Sequence, residues 1–120
     1  METARRPLVL IVEDEWLIAD QIEQAMSAAG YDVLGPVGRV RAALALLAAS
    51  HVDAALLDIN VHGERSFAVA EKLVEAATPF IFLSGYSNVE LPEAFSRRPL
   101  MQKPVDVTRL CLCLQSLLSV

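Results

Sequence analysis

The sequence predicts a single domain of the α/β class, built on a doubly wound, five-stranded parallel sheet. Short, continuously apolar runs such as residues 8–12 alternate with longer segments whose apolar residues recur at helical spacing. Runs that are apolar throughout, rather than at every second residue, indicate strands covered on both faces, as in parallel sheets. A chain of 120 residues with 54% hydrophobic residues is long enough to bury one such core.

The elements alternate regularly along the chain. The predicted strands are residues 8–12, 31–34, 54–57, 80–83 and 100–102. The predicted helices are residues 15–29, 40–49, 66–74, 91–97 and 106–118. Ser66 is expected to cap the third helix, and the fourth is expected to be short or irregular because Gly85, Pro92 and Pro99 interrupt that region. We expect one domain over residues 1–120, with a core from about 8 to 118.

Composition and charge exclude several classes of function. Fifteen Asp and Glu against ten Lys and Arg give an acidic chain, which argues against direct binding to nucleic acid. No apolar run approaches the roughly 18 residues of a membrane span, and no secretory signal pattern opens the chain, so we expect a cytoplasmic protein. Cys111 and Cys113 are expected to pack in the core, because His51 and His62 do not stand at ligand spacing from them.

Polar side chains follow four of the five predicted strands at the point where each strand ends. Glu13 and Asp14 follow the first, Asp58 the third, Ser84 the fourth and Lys103 the fifth. In open parallel sheets the carboxyl ends of the strands share one edge, where ligands bind. These five side chains are therefore predicted to meet at one site.

The charges of this group favour a divalent cation and phosphoryl transfer. Close carboxylates repel by about 3–4 kcal/mol per pair at an effective dielectric of 20, and Lys103 offsets only one of three negative charges. A small, hard ion with oxygen ligands, Mg²⁺, suits the remainder. Asp58 lies between the acidic pair and the Ser84 and Lys103 pair, so it is the expected nucleophile. Taken alone, the acidic residues at 13–15 are more typical of a charged loop before a helix, and only the whole group at four strand ends favours a site.

These residues resemble the motifs of the receiver domains of bacterial two-component response regulators. The matching segments, in order, are Val12-Glu13-Asp14, Leu57-Asp58-Ile59-Asn60 with Gly63, Phe82-Leu83-Ser84-Gly85 and Lys103-Pro104. The resemblance covers roughly residues 8–118. It implies a flavodoxin-like fold with strand order 2-1-3-4-5 and a cis bond between Lys103 and Pro104.

The resemblance also implies a role for each site residue. Asp58 corresponds to the phosphoacceptor and also to a metal ligand. Asp14 corresponds to a direct Mg²⁺ ligand, Glu13 to one that acts through water, and Asn60 to one that offers its backbone carbonyl. Ser84 matches the hydroxyl residue that moves toward the phosphoryl group, and Lys103 the lysine that binds it.

The resemblance further implies partners. A sensor histidine kinase would supply the phosphoryl group, and a change in residues 84–103 would control a downstream protein or phosphotransfer partner. The face formed by helix four, strand five and helix five is the expected contact surface, in a monomer or a weak dimer.

The sequence departs from the common pattern of the family at the switch. Leu100 stands where an aromatic residue is usual, three residues before the lysine, and Ser84 replaces the more frequent Thr. The segment between Ser84 and Lys103 is also short. These features resemble an alphaproteobacterial subgroup whose motif reads Phe-Ala-Thr-Gly followed closely by Tyr, so Tyr86 is a candidate for the missing switch aromatic.

Three other functions compete with that of a phosphoacceptor. A pseudo-receiver, which binds partners without phosphorylation, is the main alternative, although the complete set of acids, hydroxyl and lysine argues against it. An aspartyl-phosphate phosphatase would need a second acid where Asn60 stands. A flavodoxin-like nucleotide binder is disfavoured because Glu13 and Asp14 would repel a phosphate.

Overall fold

The computed structural model describes residues 5–85 and 90–119, and four α-helices and seven strands occur among them. The elements in chain order are β1 (Leu8–Val12), α1 (Trp16–Ala28), β2 (Asp32–Val37), α2 (Val40–Ala49), β3 (Ala54–Asp58), β4 (Asn60–Val61), β5 (Glu64–Arg65), α3 (Phe67–Glu75), β6 (Phe80–Ser84), a 3₁₀ turn (Glu93–Phe95), β7 (Leu100–Gln102) and α4 (Val107–Leu118).

Five of the strands form one parallel sheet in the order β2-β1-β3-β6-β7. Because β6 and β7 are the fourth and fifth strands of this sheet, the predicted order 2-1-3-4-5 is confirmed. The chain first adds β2 on one side of β1 and then adds β3 on the other side, so the strand order switches between β1 and β3. Open parallel α/β sheets bind ligands at the carboxyl edge beside this switch point.

The core has two halves, one on each face of the sheet. Leu10 and Val12 of β1 belong to the half that includes residues of α2 and α3, whereas Val9 and Ile11 belong to the half that includes residues of α1 and α4. This explains why β1, β3 and β6 are apolar throughout, since successive side chains point to opposite faces and both faces are covered. The predicted doubly wound architecture is therefore confirmed.

The second strand is longer than the sequence predicts. Its predicted end at residue 34 is wrong, because pairing with β1 continues to Val37 through an irregular register. Gly35 lies in this extension with a φ of +93° and is joined to Pro36 by a cis bond. Because Gly and Pro normally interrupt strands, the sequence shows no strand pattern here. The carbonyl of Val37 accepts a hydrogen bond from the Glu13 N–H at 2.9 Å, which ties β2 to the end of β1.

The loop after β3 folds into a two-stranded antiparallel hairpin that the sequence did not predict. Strands β4 and β5 pair with Asn60 opposite Arg65, and the turn between them places His62 at a φ of 48° and Gly63 at 78°. Ser66 is the N-cap residue of α3, as expected, but it does not cap the helix through its side chain. Its side chain makes no capping hydrogen bond, and its buried Oγ has no partner among the described residues.

The region between β6 and β7 is irregular, as the sequence predicts. Of its described residues, only Glu93–Phe95 are helical, in a single 3₁₀ turn. Phe95 is nevertheless 4% exposed and packs against three other rings, with centroid distances of 5.7 Å to Phe67, 5.9 Å to Phe82 and 6.4 Å to Phe80. This aromatic cluster fastens the irregular segment to the core.

Helix α4 packs one face against the core and leaves the other exposed. The Cys111 and Cys113 side chains are half-buried and pack against the core half that contains α1 and α4, as expected. Leu112 lies on the opposite side of the helix and is exposed. In the part of the chain that the structure describes, no helix has the length and apolar character needed to cross a bilayer.

Candidate phosphoryl-transfer site

The parallel register brings the predicted site residues to one edge of the sheet. Asp58 is the last residue of β3 and pairs with Leu83, while Ser84, the last residue of β6, pairs with Gln102. Glu13 and Asp14 follow β1 directly, and Lys103 follows β7. The prediction that these five residues share the carboxyl edge of the sheet is therefore confirmed.

Three carboxylates form the centre of the site. One carboxylate oxygen from each of Glu13, Asp14 and Asp58 lies within 4.8 Å of the other two. Glu13 is 3% exposed and Asp58 5% exposed, whereas Asp14 is more accessible. Buried carboxylates at this spacing require a compensating cation or a proton.

Lys103 supplies part of that compensation. Its Nζ lies 2.7 Å from Glu13 Oε1, 3.1 Å from Asp58 Oδ2 and 3.4 Å from Glu15 Oε1. Burial alone would lower the pKa of Lys103, but its contacts with Glu13 and Asp58 outweigh burial and raise it. The lysine is therefore held as an ammonium between two buried acids.

Glu13 is the least satisfied of the acids. Burial raises its pKa to about 7, against the opposing effects of the Lys103 ammonium and the Glu15 N–H. Its Oε2 accepts a hydrogen bond from the Glu15 N–H at 3.1 Å. Its Oε1 has the Lys103 charge nearby but no partner at hydrogen-bonding angles among the described residues.

Asp14 has the opposite tendency. Partial burial acts to raise its pKa, but the backbone N–H groups of His62 and of Asp14 itself, helped by the charge of His62, bring it below the usual value. The His62 N–H donates to Asp14 Oδ2 at 2.9 Å, and this donor is placed by the β4–β5 turn. The unpredicted hairpin therefore favours the ionised form of Asp14.

Asp58 is oriented from both sides. Its Oδ1 accepts a hydrogen bond from the Asn60 N–H at 3.2 Å, and its Oδ2 accepts one from Lys103. It lies in an open cavity of about 710 Å³ lined by Asp14, Glu15, Asp58, Asn60, Gly63, Arg65, Gly85 and Lys103. A second, mostly apolar cavity of about 580 Å³ lies between α2 and α3 and contains none of the site residues.

The donor set fits a hard divalent ion. Three carboxylates within 4.8 Å, one with an oxygen that lacks a hydrogen bond, offer oxygen ligands of the kind that Mg²⁺ binds. Asn60 lines the same cavity and adjoins Asp58. Lys103 alone leaves excess negative charge in this cluster, so a cation has an electrostatic reason to enter it.

The structure describes the other predicted features of the switch region except Tyr86. Ser84 is 2% exposed, and its carbonyl accepts a 2.7 Å hydrogen bond from the Lys103 N–H, which couples the ends of β6 and β7. The Lys103–Pro104 bond is cis, as expected. Tyr86 lies outside the described residues, and Leu100 is partly exposed on β7.

Sequence reasoning missed two residues of the site. Glu15 contacts Lys103, and its position directly after Glu13 and Asp14 was the available signal. Arg65 lines the cavity only because the chain turns back at Gly63, and a hairpin with two paired residues on each side leaves no periodic pattern that would reveal it.

The chain is similar to known proteins over nearly its full length. The sequence model of the family described as "Response regulator receiver domain" matches residues 9–114. The solution structure of SdrG from Sphingomonas melonis Fr1 is 36% identical, covers 98% of this chain and 100% of its own, and has a TM-score of 0.84. The BeF3-activated conformation of SdrG from Pseudomonas melonis Fr1 is 38% identical, covers 93% and 96%, and has a TM-score of 0.77.

A third solved structure extends the similarity. The CheY-like response regulator receiver domain from Methylobacillus flagellatus is 25% identical, covers 94% of this chain and 99% of its own, and has a TM-score of 0.81. No curated protein matches the chain.

Proposed function

The chain belongs to the response regulator receiver domain family, and we propose that it is a phosphorylation-dependent switch with Asp58 as the acceptor. The observation that carries this proposal is the setting of Asp58. Its buried carboxylate is held by Lys103 at 3.1 Å and by the Asn60 N–H at 3.2 Å, at the floor of an open cavity. A carboxylate fixed in this way is a suitable nucleophile for an incoming phosphoryl group.

In the proposed reaction an oxygen of Asp58 attacks phosphorus and forms an acyl phosphate, while the bond from phosphorus to the donor breaks and the donor leaves with the bonding electrons. Lys103 keeps its proton, because its pKa is raised, and transfers its contacts from Glu13 and Asp58 to a phosphoryl oxygen. Ser84 donates its hydroxyl to a second oxygen.

The acids of the cluster would hold Mg²⁺. Asp14 and Asp58 would bind the ion directly, Asn60 would bind through its backbone carbonyl and Glu13 would act through water. When bound, the ion neutralises the acids and stabilises charge on the transferring oxygens.

The response of the protein is proposed to lie in residues 84–103. New charge at Asp58 would draw Ser84 and Lys103 toward it, and the Ser84 carbonyl bond to the Lys103 N–H would pass the change to β7. Membership of the alphaproteobacterial subgroup, with Tyr86 as the switch aromatic, belongs to the same proposal. The likeness to SdrG from Sphingomonas melonis Fr1 and to the BeF3-activated conformation of SdrG from Pseudomonas melonis Fr1 supports it.

We expect residues 1–120 to form a single receiver domain that acts in the cytoplasm. We expect a histidine kinase to be its phosphoryl donor. The surface formed by the 3₁₀ turn, β7 and α4 is the expected contact for a downstream protein or a weak dimer. Leu112 and Leu100 are exposed apolar residues of α4 and β7, which supports contact with a partner there.

Intact-mass measurement after incubation with Mg²⁺ and acetyl phosphate tests the proposal. We expect one phosphoryl adduct, absent from Asp58→Asn and from reactions with EDTA. Asp20→Asn is the matched control, because Asp20 is exposed on α1 and, among the residues the structure describes, its side chain bonds only that of Gln24. If neither small donors nor histidine kinases give an adduct while partners still bind, the pseudo-receiver alternative holds instead.

A further inference from the structure

We infer that Arg65 is a second cationic contact for the phosphoryl donor, located on the side of the cavity from which the leaving group departs. This inference rests on the proposed function. It assigns to the β4–β5 hairpin a role in the phosphoryl-transfer step itself, beyond its hydrogen bond to Asp14.

The hairpin determines the position of Arg65. Asn60, two residues after the acceptor, pairs with Arg65 across the two strands, and the turn at His62 and Gly63 brings the chain back beside the site. As a result Arg65 lines the same cavity as Asp58 and Lys103, although it lies seven positions along the chain from the acceptor.

Arg65 differs from Lys103 in its availability. Lys103 already contacts three carboxylates, whereas the guanidinium of Arg65 has no ion-pair or hydrogen-bond partner within residues 5–85 and 90–119. Arg65 is also exposed, whereas Asp58 is 5% exposed. The cavity is therefore lined by two cationic side chains. The Lys103 ammonium is bound to carboxylates at the floor, and the Arg65 guanidinium is unpaired at the mouth.

The path of the leaving group explains why an unpaired arginine at the mouth of the cavity matters. Attack and departure are roughly in line during phosphoryl transfer, so a nucleophile at the floor expels its leaving group toward the mouth. An arginine there can form charge-assisted hydrogen bonds with an anionic leaving group. Acetyl phosphate releases acetate, which carries away the electrons of the broken P–O bond, whereas phosphoramidate releases neutral ammonia after its P–N bond breaks.

The choice of donor therefore tests the assignment. Phosphorylation rates are measured for wild type, Arg65→Gln and Lys72→Gln with each donor at saturating Mg²⁺. Lys72 is exposed near the C-terminal end of α3, away from the carboxyl edge, so its replacement removes the same charge elsewhere. We expect Arg65→Gln to lower kcat/KM for acetyl phosphate about tenfold, as for loss of one charge-assisted hydrogen bond, with a much smaller effect on phosphoramidate.

The outcomes separate this inference from the proposed function. If wild type forms no Asp58 adduct with either donor, the proposed function fails, and the role of Arg65 fails with it. If wild type reacts but Arg65→Gln matches Lys72→Gln, only the role of Arg65 is overturned. An equal loss with both donors also overturns it, since the arginine would then attract any phosphate rather than contact the leaving group.

Discussion

Replacing Lys103 with methionine should move two properties of the site in opposite directions. The ammonium lies 2.7 Å from Glu13 and 3.1 Å from Asp58, so it competes with a divalent ion for the same oxygens. Methionine keeps much of the side-chain volume and removes the charge. We expect tighter Mg²⁺ binding and much slower phosphorylation of Asp58.

The magnitude follows from Coulomb's law. The candidate ligand oxygens lie within 4.8 Å of one another, so an ion among them is close to the ammonium. Charges of +2 and +1 about 4 Å apart repel by about 2 kcal/mol even at the dielectric constant of water. Competition from protons offsets part of this gain, because Glu13 without its lysine binds a proton more strongly. We therefore expect the Kd for Mg²⁺ to fall about tenfold.

Isothermal titration calorimetry measures this change, at a pH well above the Glu13 pKa of about 7. The fluorescence of Trp16, which is exposed two residues after Asp14, offers a second probe. Lys72→Met, at the other lysine of the chain, is the control and should leave the Kd unchanged. Unchanged or weaker Mg²⁺ binding in a folded Lys103→Met protein would refute the electrostatic reasoning.

Three further predictions concern stability. Burial raises the pKa of Glu13 from 4.5 to about 7, so the protonated side chain contributes to the free energy of unfolding. This contribution is complete below pH 4.5 and is lost as the pH rises to about 7. The unfolding free energy of the metal-free protein should therefore fall by up to about 3 kcal/mol across that range, and Glu13→Gln should remove this slope. Gly35→Ala should destabilise by about 2 kcal/mol, because φ is +93° and the new Cβ would lie 2.9 Å from a backbone nitrogen, whereas Gly85→Ala meets nothing within 4 Å. Phe95→Ala should cost about 3 kcal/mol through the cavity it leaves, against less than about 0.5 kcal/mol for the exposed Leu112→Ala.

Urea unfolding measures all three. A Glu13→Gln protein that keeps the wild-type slope would show that another group titrates in this range. Equal stability of the two alanine variants at Gly35 and Gly85 would contradict the strained-backbone argument. A small effect at Phe95 would mean that the aromatic cluster does not fasten the irregular segment.

The parts of the fold that the sequence predicted are those in which one physical signal dominates. Strands such as residues 8–12 are buried on both faces, so their apolar character alone identifies them. The meeting of Glu13, Asp58 and Lys103 followed from topology, because parallel strands share a carboxyl edge.

The parts that the sequence did not predict depend on backbone geometry or on distant contacts. The extension of β2 passes through Gly35 and Pro36, residues that normally end a strand. The β4–β5 hairpin pairs only two residues on each side. Phe95 is an isolated aromatic between prolines, and only the packed rings of the core show that it is an anchor.

The strands that position the site differ in how firmly they are held, and the three-residue strand β7 is the least buried of those that carry or precede Asp58, Ser84 and Lys103. It is one of the two edge strands of the sheet, and within the described residues it pairs only with β6. Its residues are exposed or half-buried, whereas those of β3 are fully buried. Lys103 follows this strand directly. Detachment of the edge would therefore withdraw the ammonium from Glu13 and Asp58 while the rest of the sheet stays folded. Conversely, ligands that engage the ammonium hold the edge in place, so occupancy of the site and amide exchange in β7 are thermodynamically linked.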